Sequence, residues 1–207
     1  MEQTDKMEYV DLGLPSGLKW AKCNVGAKKE TDYGYYFQWG DIVDKSKSDC
    51  SWKTYEHCNG TYNTLTKYCT NSSYGTVDSI TTLESVDDAA TQIMGSDWRM
   101  PTQDELQELA DNTDNEWICN YNGTGVNGRK FTSKTDTSKY IFIPASGIRS
   151  NSSFFFQGSY GAVWSSSLNT DYSGYAWFLY IGSGNVVARL NISRPRGFMV
   201  RGVTESR

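Results

Sequence analysis

The sequence predicts a single α+β domain, spanning residues 1–207, with two short helices and small antiparallel sheets joined by long loops. Three observations favour this class. The chain has 207 residues, the length of one domain with insertions. Aromatic residues make up 14% of it, so much of its apolar material is bulky enough to fill a core. Its 19 glycines, with many Asn, Ser and Thr residues, are typical of turns between short strands.

A hairpin is the first predicted element, and an irregular segment follows it. Residues 8–14 form an extended pattern, residues 15–17 supply a proline and a glycine for a turn, and residues 18–21 resume the extended pattern. By contrast, residues 41–80 are rich in Ser, Thr and Asn and lack a steady apolar period. They predict a polar surface insertion rather than part of the core.

Two helices are predicted in the middle of the chain. The second, over residues 103–112, is marked by Thr102 and Glu105, which have the spacing of a capping box. The first, over residues 83–94, depends on apolar residues three and four positions apart: Leu83, Val86, Ala90 and Ile93.

The C-terminal part of the chain predicts a small antiparallel sheet. Short apolar runs are separated there by Gly, Ser and Asn residues, a pattern typical of strands with turns between them. The predicted strands are residues 140–144, 162–166, 176–181, 185–192 and 197–203.

Net charge and hydropathy exclude two classes of partner. The formal net charge is −4, and no run of basic residues offers a surface for phosphates, so we expect no nucleic-acid partner. No apolar segment approaches the roughly 20 residues needed to cross a bilayer, so we expect no membrane insertion. No signal peptide is visible either. The expected location is therefore a phage virion or the cytoplasm, or the cell surface if a signal has been removed.

Catalytic and metal-binding patterns are weak, so we expect no enzyme activity, metal or cofactor. His57 is the only histidine, and no serine motif accompanies it. The carboxylates near the second helix are more simply interpreted as solvent-exposed side chains that interact favourably with its positive N-terminus than as a catalytic pair. The five cysteines, Cys23, Cys50, Cys58, Cys69 and Cys119, are odd in number and lack a CxxC pair, which favours unpaired thiols. A zinc set of Cys50, His57, Cys58 and Cys69 fits no common spacing.

Several motifs together resemble the Fib-succ major paralogous domain family. They occur in order along nearly the whole chain: Asp11-Leu12-Gly13-Leu14-Pro15-Ser16-Gly17, Trp20-Ala21, Asn24-Val25-Gly26, Tyr36-Phe37-Gln38-Trp39-Gly40, Trp98-Arg99-Met100-Pro101-Thr102, Pro144-Ala145-Ser146-Gly147, Trp164-Ser165-Ser166-Ser167 and Gly197-Phe198-Met199-Val200-Arg201. The resemblance implies a C-type-lectin-like fold related to that of formylglycine-generating enzymes. Those enzymes use a late cysteine pair, whereas no cysteine follows Cys119 here. The calcium-lectin tripeptides Glu-Pro-Asn and Trp-Asn-Asp are missing as well.

The C-terminal region, residues 145–203, also resembles the hypervariable region of diversity-generating retroelement variable proteins. In those proteins template adenines are randomised, and an Asn codon can then become any residue found at 187–193 but never Lys or Glu. The chain has twelve Lys and nine Glu residues, so uniform composition predicts about five of them in residues 148–196. That stretch contains none. Lectin-like C-termini rich in Ser, Tyr, Gly and Asn offer an alternative explanation, which stays open.

The resemblance divides residues 148–196 into framework and exposed ligand-binding positions. Phe154, Phe155 and Phe156 cannot all face one core in an extended segment, because successive side chains alternate. Framework positions are Arg149, Gln157, Gly158, Gly161, Trp164, Ser165, Ser166, Ala176, Trp177 and Arg194. Expected ligand-binding positions are Ile148, Ser150, Phe154, Phe155, Phe156, Tyr160, Ala162, Val163, Tyr172, Gly174, Tyr175, Phe178, Tyr180, Gly182, Val187, Ala188, Arg189, Leu190, Asn191, Ile192, Ser193, Pro195 and Arg196.

These observations predict a non-catalytic ligand-binding protein of the receptor or adhesin type. Aromatic residues supply contact area at low entropic cost, and small polar residues adapt their hydrogen bonds, so the composition of residues 148–196 suits a recognition surface. The expected partner is a protein or a surface glycan. Two interpretations stay open: a retroelement variable protein, or an ordinary bacterial surface or carbohydrate-associated lectin-like domain without diversification.

Overall fold

The structure, a computed structural model, describes residues 8–205. Within that range the chain forms two α-helices and eleven β-strands, which confirms the α+β class. The helices are α1 (Ala89–Met94) and α2 (Gln103–Asn112). The strands are β1 (Tyr9–Asp11), β2 (Lys19–Ala21), β3 (Thr113–Ile118), β4 (Gly128–Ser133), β5 (Tyr140–Pro144), β6 (Ile148–Ser150), β7 (Ser153–Phe155), β8 (Tyr160–Leu168), β9 (Tyr175–Gly182), β10 (Val186–Ser193) and β11 (Val203–Thr204).

The strands form small antiparallel sheets, as the sequence predicts. Their orders are β1-β2-β11, β3-β4-β5, β6-β7 and β8-β9-β10. Strands β1 and β2 are the predicted hairpin, with Val10 opposite Trp20. Strand β11 pairs with the other edge of β2, where Val203 lies opposite Trp20. The two ends of the described chain therefore meet in one sheet.

Helix α2 has the predicted bounds and the predicted cap. The Thr102 side chain accepts a hydrogen bond from the Glu105 backbone N–H, and the Glu105 carboxylate accepts one from the Thr102 N–H. Burial opposes ionisation of Glu105, but hydrogen bonds from Arg99 and Thr102 outweigh it and hold the pKa of its carboxyl below the usual value. Leu106 and Leu109 are fully buried. Local capping and the apolar stripe thus specify this helix.

The first helix is shorter than predicted. A 3₁₀ turn occupies Ser85–Asp87, and α1 begins only after Asp88. Asp88 has an extended backbone, and its side chain accepts from the Thr91 N–H, so it caps a new helix rather than continuing the old one. Val86 and Ile93 are exposed, so only part of the predicted apolar stripe faces the core.

The core has two main clusters, one on each face of the β8-β9-β10 sheet. On β8, Ala162 and Trp164 point to the first cluster, which also contains Trp39 and Phe198. Val163, between them, points to the second, which packs against α2. Strand β8 is therefore buried on both faces, as successive side chains in a strand alternate.

The polar segment 41–80 contributes more to the interior than its composition predicts. Many of its polar side chains are exposed, but Tyr68 is fully buried in the first core cluster. A third cluster is its own: Tyr55, Cys58, Leu65 and Cys69, with Trp52 and Tyr74 packed against it. The prediction of a surface insertion is wrong for these residues. Their apolar side chains have no regular spacing in the sequence, and only the folded path of the loop brings them into contact.

Two further differences concern strands. Strands β3, β4, β6 and β7 are not predicted. Residues 113–118 and 128–133 are too polar to stand out, and β6 and β7 have only three residues each. Residues 197–203 do not form one strand. Phe198 forms an isolated bridge with Phe37 and Met199 forms one with Val163, while Val203 belongs to β11. Each residue has a different partner, so no continuous ladder forms.

Candidate functional site

Most of the expected ligand-binding positions are exposed or partly exposed. Eight are exposed: Phe154, Phe155, Phe156, Tyr172, Tyr175, Arg189, Leu190 and Asn191. Seven are partly exposed: Ile148, Tyr160, Tyr180, Val187, Ile192, Ser193 and Arg196. These residues are placed where a partner can reach them.

The remaining expected positions are buried, and their predicted exposure is wrong. They are Ser150, Ala162, Val163, Gly174, Phe178, Gly182, Ala188 and Pro195. The double-sided burial of β8 explains Ala162 and Val163, while Phe178 packs against Trp164 and Phe198. At Gly182 a Cβ atom would lie 2.5 Å from the Tyr180 hydroxyl, so a larger residue would require rearrangement.

The framework positions are mostly buried, with two differences. Arg149, Gly161, Trp164, Ser165, Ser166, Ala176 and Arg194 are buried as expected, and Gly158 is partly buried. Gln157 is exposed, although its amide donates to the Tyr36 hydroxyl at 3.1 Å. Trp177 is only partly buried; it lies opposite the exposed Asn191 of β10.

A β-bulge explains the irregular pattern of residues 187–193. These residues do lie in a strand, β10, but its register with β9 shifts between Val187 and Leu190. The bulge leaves Ala188 buried, while Arg189 and Leu190 are both exposed. An extra residue in one strand breaks the alternation of side chains, so a bulge accounts for the lack of a period without diversification.

One surface feature is a cleft of about 610 Å³, which we call the tyrosine cleft. Five of its eight lining residues are expected ligand-binding positions, and three come from the 41–80 segment. The lining residues are Trp52, Tyr62, Tyr74, Tyr172, Gly174, Tyr175, Asn191 and Ser193. The volume is within the range of small-molecule sites.

Polar contacts, some of them buried, hold the two sides of the tyrosine cleft together. The Thr70 backbone N–H donates to the Ser173 hydroxyl at 3.0 Å, and the Thr70 hydroxyl donates to the Thr170 carbonyl at 3.0 Å. The fully buried Arg194 guanidinium donates to the Tyr68 and Ser173 carbonyls, each at 3.0 Å. The 41–80 segment is thus fixed to the loop that carries Tyr172 and leads into Tyr175 at the start of β9.

A second exposed surface, which we call the aromatic ladder, consists of Phe155, Phe156, Tyr160 and Tyr180. The Phe156 and Tyr160 ring centroids are 5.1 Å apart, and those of Tyr160 and Tyr180 are 5.3 Å apart. Phe156 has a φ of +62°, an uncommon and strained value for a bulky residue. Exposed aromatic rings in contact with one another suit binding. The aromatic ladder and the lining of the tyrosine cleft have no residue in common.

Sequence reasoning missed Trp52, Tyr62 and Tyr74 as site residues. They lie in the segment interpreted as a surface excursion, and only the folded chain brings them beside Tyr172 and Tyr175. Bulky aromatic residues in an otherwise polar segment were the available signal, because such residues are rarely left without contacts.

The weak catalytic candidates are engaged elsewhere in the structure. His57 Nε2 lies 2.9 Å from the Gly40 carbonyl. Glu105 accepts a bidentate pair of hydrogen bonds from Arg99, and Glu108 accepts from Ser16. No three His, Cys, Asp or Glu residues of the described chain lie together as a metal site, and its five cysteines are unpaired. No helix in that part is long and apolar enough to span a bilayer.

We expect chelation to leave the stability of the protein unchanged. Cys58 Sγ, Cys69 Sγ and His57 Nε2 each lie within hydrogen-bond distance of a backbone carbonyl. The measurement is a thermal melt with and without EDTA. A fall in Tm of several degrees, restored by calcium or zinc, would show an overlooked site.

Comparison with known proteins places the chain in a family. No curated protein and no solved structure shows a significant match. The C-type-lectin-like fold and the likeness to the Fib-succ family therefore stay predictions. A match to the Lcl C-terminal domain covers residues 13–204, which include every element from β2 to β11, and the chain therefore belongs to the Lcl C-terminal domain family.

Proposed function

We propose that the protein is a non-catalytic ligand-binding protein of the receptor or adhesin type, and that the tyrosine cleft is its principal binding site. The observation that carries the proposal is the convergence of five expected ligand-binding positions with three aromatic residues of a distant segment. Concave, largely apolar sites with a few polar groups are the usual form of a ligand site.

Exposure and composition support the tyrosine cleft as a recognition surface. Tyr62 and Tyr172 are 57% and 56% exposed, far more than a core aromatic residue. Burying such rings against a ligand yields a large apolar contribution, and a few aromatic anchors usually dominate a binding interface. If these rings served only the stability of the fold, burying them in the core would make the free energy of unfolding larger.

The finer proposal is that retroelement-driven diversification acts on the exposed C-terminal positions. The lack of Lys and Glu in residues 148–196 supports it. The burial of Ala162 and Val163 and the bulge in β10 favour the alternative, an ordinary surface or carbohydrate-associated member without diversification. The surrounding DNA distinguishes the two: diversification requires a reverse-transcriptase gene and a near-copy of codons 148–201 differing chiefly at adenines.

The test of the proposed function is whether immobilised bacterial envelope fractions capture the labelled protein from solution. We expect capture by the parent protein and its loss in the double variant Tyr172→Ser/Tyr175→Ser, since both rings line the tyrosine cleft. Stability should change little, because exposed substitutions usually stay within about 0.5 kcal/mol each.

The matched control is Phe155→Ser/Phe156→Ser, which removes two exposed rings from the aromatic ladder. This variant should capture as well as the parent. Loss of capture in the control alone would move the binding site to the aromatic ladder. Equal capture by the parent and both variants would contradict a C-terminal binding surface.

A further inference from the structure

We propose that the ligand of the tyrosine cleft is a neutral saccharide chain, an inference that rests on the proposed function and names its ligand class. The two walls of the tyrosine cleft each present a pair of tyrosines. The ring centroids of Tyr62 and Tyr74 are 6.5 Å apart, and those of Tyr172 and Tyr175 are 6.2 Å apart, both pairs edge to face. Each wall therefore offers more than one ring orientation to a ligand.

Aromatic rings suit the faces of sugar rings. The face of an aromatic ring carries a partial negative charge, and the C–H groups on one face of a pyranose carry a partial positive charge. Stacking of the two buries apolar area while the sugar hydroxyls stay at the edge. Trp52 adds the largest ring of the lining, close to Gly174.

The polar groups of the tyrosine cleft are free to bind a ligand. The indole N–H of Trp52, the four tyrosine hydroxyls, the Asn191 amide and the Ser193 hydroxyl make no side-chain hydrogen bond within residues 8–205. Together they can both donate and accept. Saccharide hydroxyls also do both. A proline-rich peptide has aromatic-binding rings too, but its tertiary amides only accept, so it would leave the acceptor capacity of the cleft unused.

Charge excludes acidic saccharides. None of the eight lining residues is charged, and the protein has a net charge of −4. A sulfate or carboxylate brought into the tyrosine cleft would lose water without gaining a cationic partner, which is unfavourable. The site therefore favours hexose or pentose chains without ionised groups.

Gly174 provides a steric test that does not disturb the backbone. A Cβ atom there would lie 3.6 Å from Trp52 and 3.7 Å from Tyr74, which is ordinary contact. The Gly174→Ala variant should therefore fold and bind. The Gly174→Leu variant places a larger side chain between the same two rings, so it should obstruct the tyrosine cleft.

The experiment applies the fluorescently labelled full chain to an array of neutral, sialylated and sulfated glycans, followed by titration with the neutral glycan that gives the strongest signal. We expect signal on neutral glycans with no gain from sulfate. Tyr62→Ala and Tyr172→Ala, one from each wall, should each weaken binding by about tenfold or more. Gly174→Leu should abolish binding, whereas Tyr172→Phe should lose less than Tyr172→Ala because the ring remains.

Tyr9→Ala is the matched control, because Tyr9 is 40% exposed, lies outside the tyrosine cleft and is not among the expected ligand-binding positions. It should bind like the parent. Absence of binding to neutral glycans overturns the proposal, and so does a preference for sulfated glycans. Binding of a decaproline peptide with the same dependence on Tyr62 and Tyr172 would assign the tyrosine cleft to a peptide instead.

The failure of this inference is distinguishable from failure of the proposed function. If no neutral glycan binds but envelope capture still depends on Tyr172 and Tyr175, the ligand class is wrong and the binding site stands. If capture is also independent of these residues, both proposals fail.

Discussion

Replacing Trp164 by Ala is expected to lower the free energy of unfolding by about 3–5 kcal/mol, a large part of the stability of a domain. The Trp164 side chain is fully buried, and its indole N–H donates to the Phe37 carbonyl at 2.8 Å. Its ring lies 4.5 Å from that of Phe198, centroid to centroid. The substitution leaves a cavity and removes one of the two hydrogen bonds that the Phe37 carbonyl accepts, the other coming from the Phe198 N–H. Chemical denaturation measures the loss.

The matched control for Trp164 is Trp177→Ala in the neighbouring strand. The family resemblance predicts a framework role for both Trp164 and Trp177. Trp177, however, is only partly buried and belongs to neither main core cluster. Its truncation should cost clearly less than that of Trp164. Equal losses of stability in the two variants would contradict the assignment of Trp164 alone to the core.

Replacing Arg194 by Met should have an effect of similar size, about 3–5 kcal/mol. Arg194 is fully buried, and its guanidinium donates to three backbone carbonyls, those of Lys67, Tyr68 and Ser173. It also donates to the Tyr55 hydroxyl at 2.7 Å. Methionine fills most of the space but supplies no donor, so the buried acceptors are left without a partner.

No carboxylate of residues 8–205 forms an ion pair with Arg194; aromatic faces lie around its guanidinium instead. The guanidinium carbon is 4.8 Å from the Trp39 ring centroid and 5.0 Å from that of Tyr55. Cation–π attraction and hydrogen bonds to neutral oxygens therefore compensate for its desolvation. Arg194→Lys should also destabilise, since one ammonium cannot reproduce a planar set of five donors.

The control for Arg194 is Arg196→Met, two residues further along the chain. The partly exposed Arg196 side chain makes no hydrogen bond or ion pair within residues 8–205, so its loss should change stability little. The readouts are urea denaturation and hydrogen exchange of residues 41–80. If exchange in this segment is the same in Arg194→Met as in the parent, Arg194 does not fix the segment.

Local sequence signals were sufficient to predict the elements that are stabilised by contacts between residues close together in the chain. The capping box fixes α2 at residues 103–112, and the turn at residues 15–17 fixes the hairpin of β1 and β2. Apolar runs located β5, β8, β9 and β10. The bounds of the first helix were predicted wrongly, because Asp88 caps a new helix in the middle of the segment whose apolar residues have helical spacing. Periodicity alone does not register such an interruption.

The candidate site was predicted in part. The positions Tyr172, Tyr175, Asn191 and Ser193 line the tyrosine cleft, as a ligand-binding role requires. Ala162 was misplaced because an alternating strand has two faces, and nothing in the strand itself says that both are covered. The tertiary structure covers one face with Phe198 and its neighbours and the other with α2.

The sequence by itself determined the α+β class, the capped helix, the hairpin and the recognition-type composition of residues 148–196. These depend on interactions between residues a few positions apart. Only the tertiary structure decided that residues 41–80 form one wall of the tyrosine cleft, that β10 is bulged and that Trp177 lies outside the core. Thr70 contacts Ser173 across about a hundred residues of chain, and contacts of that separation leave no periodic trace in the sequence because their partners are chosen by packing.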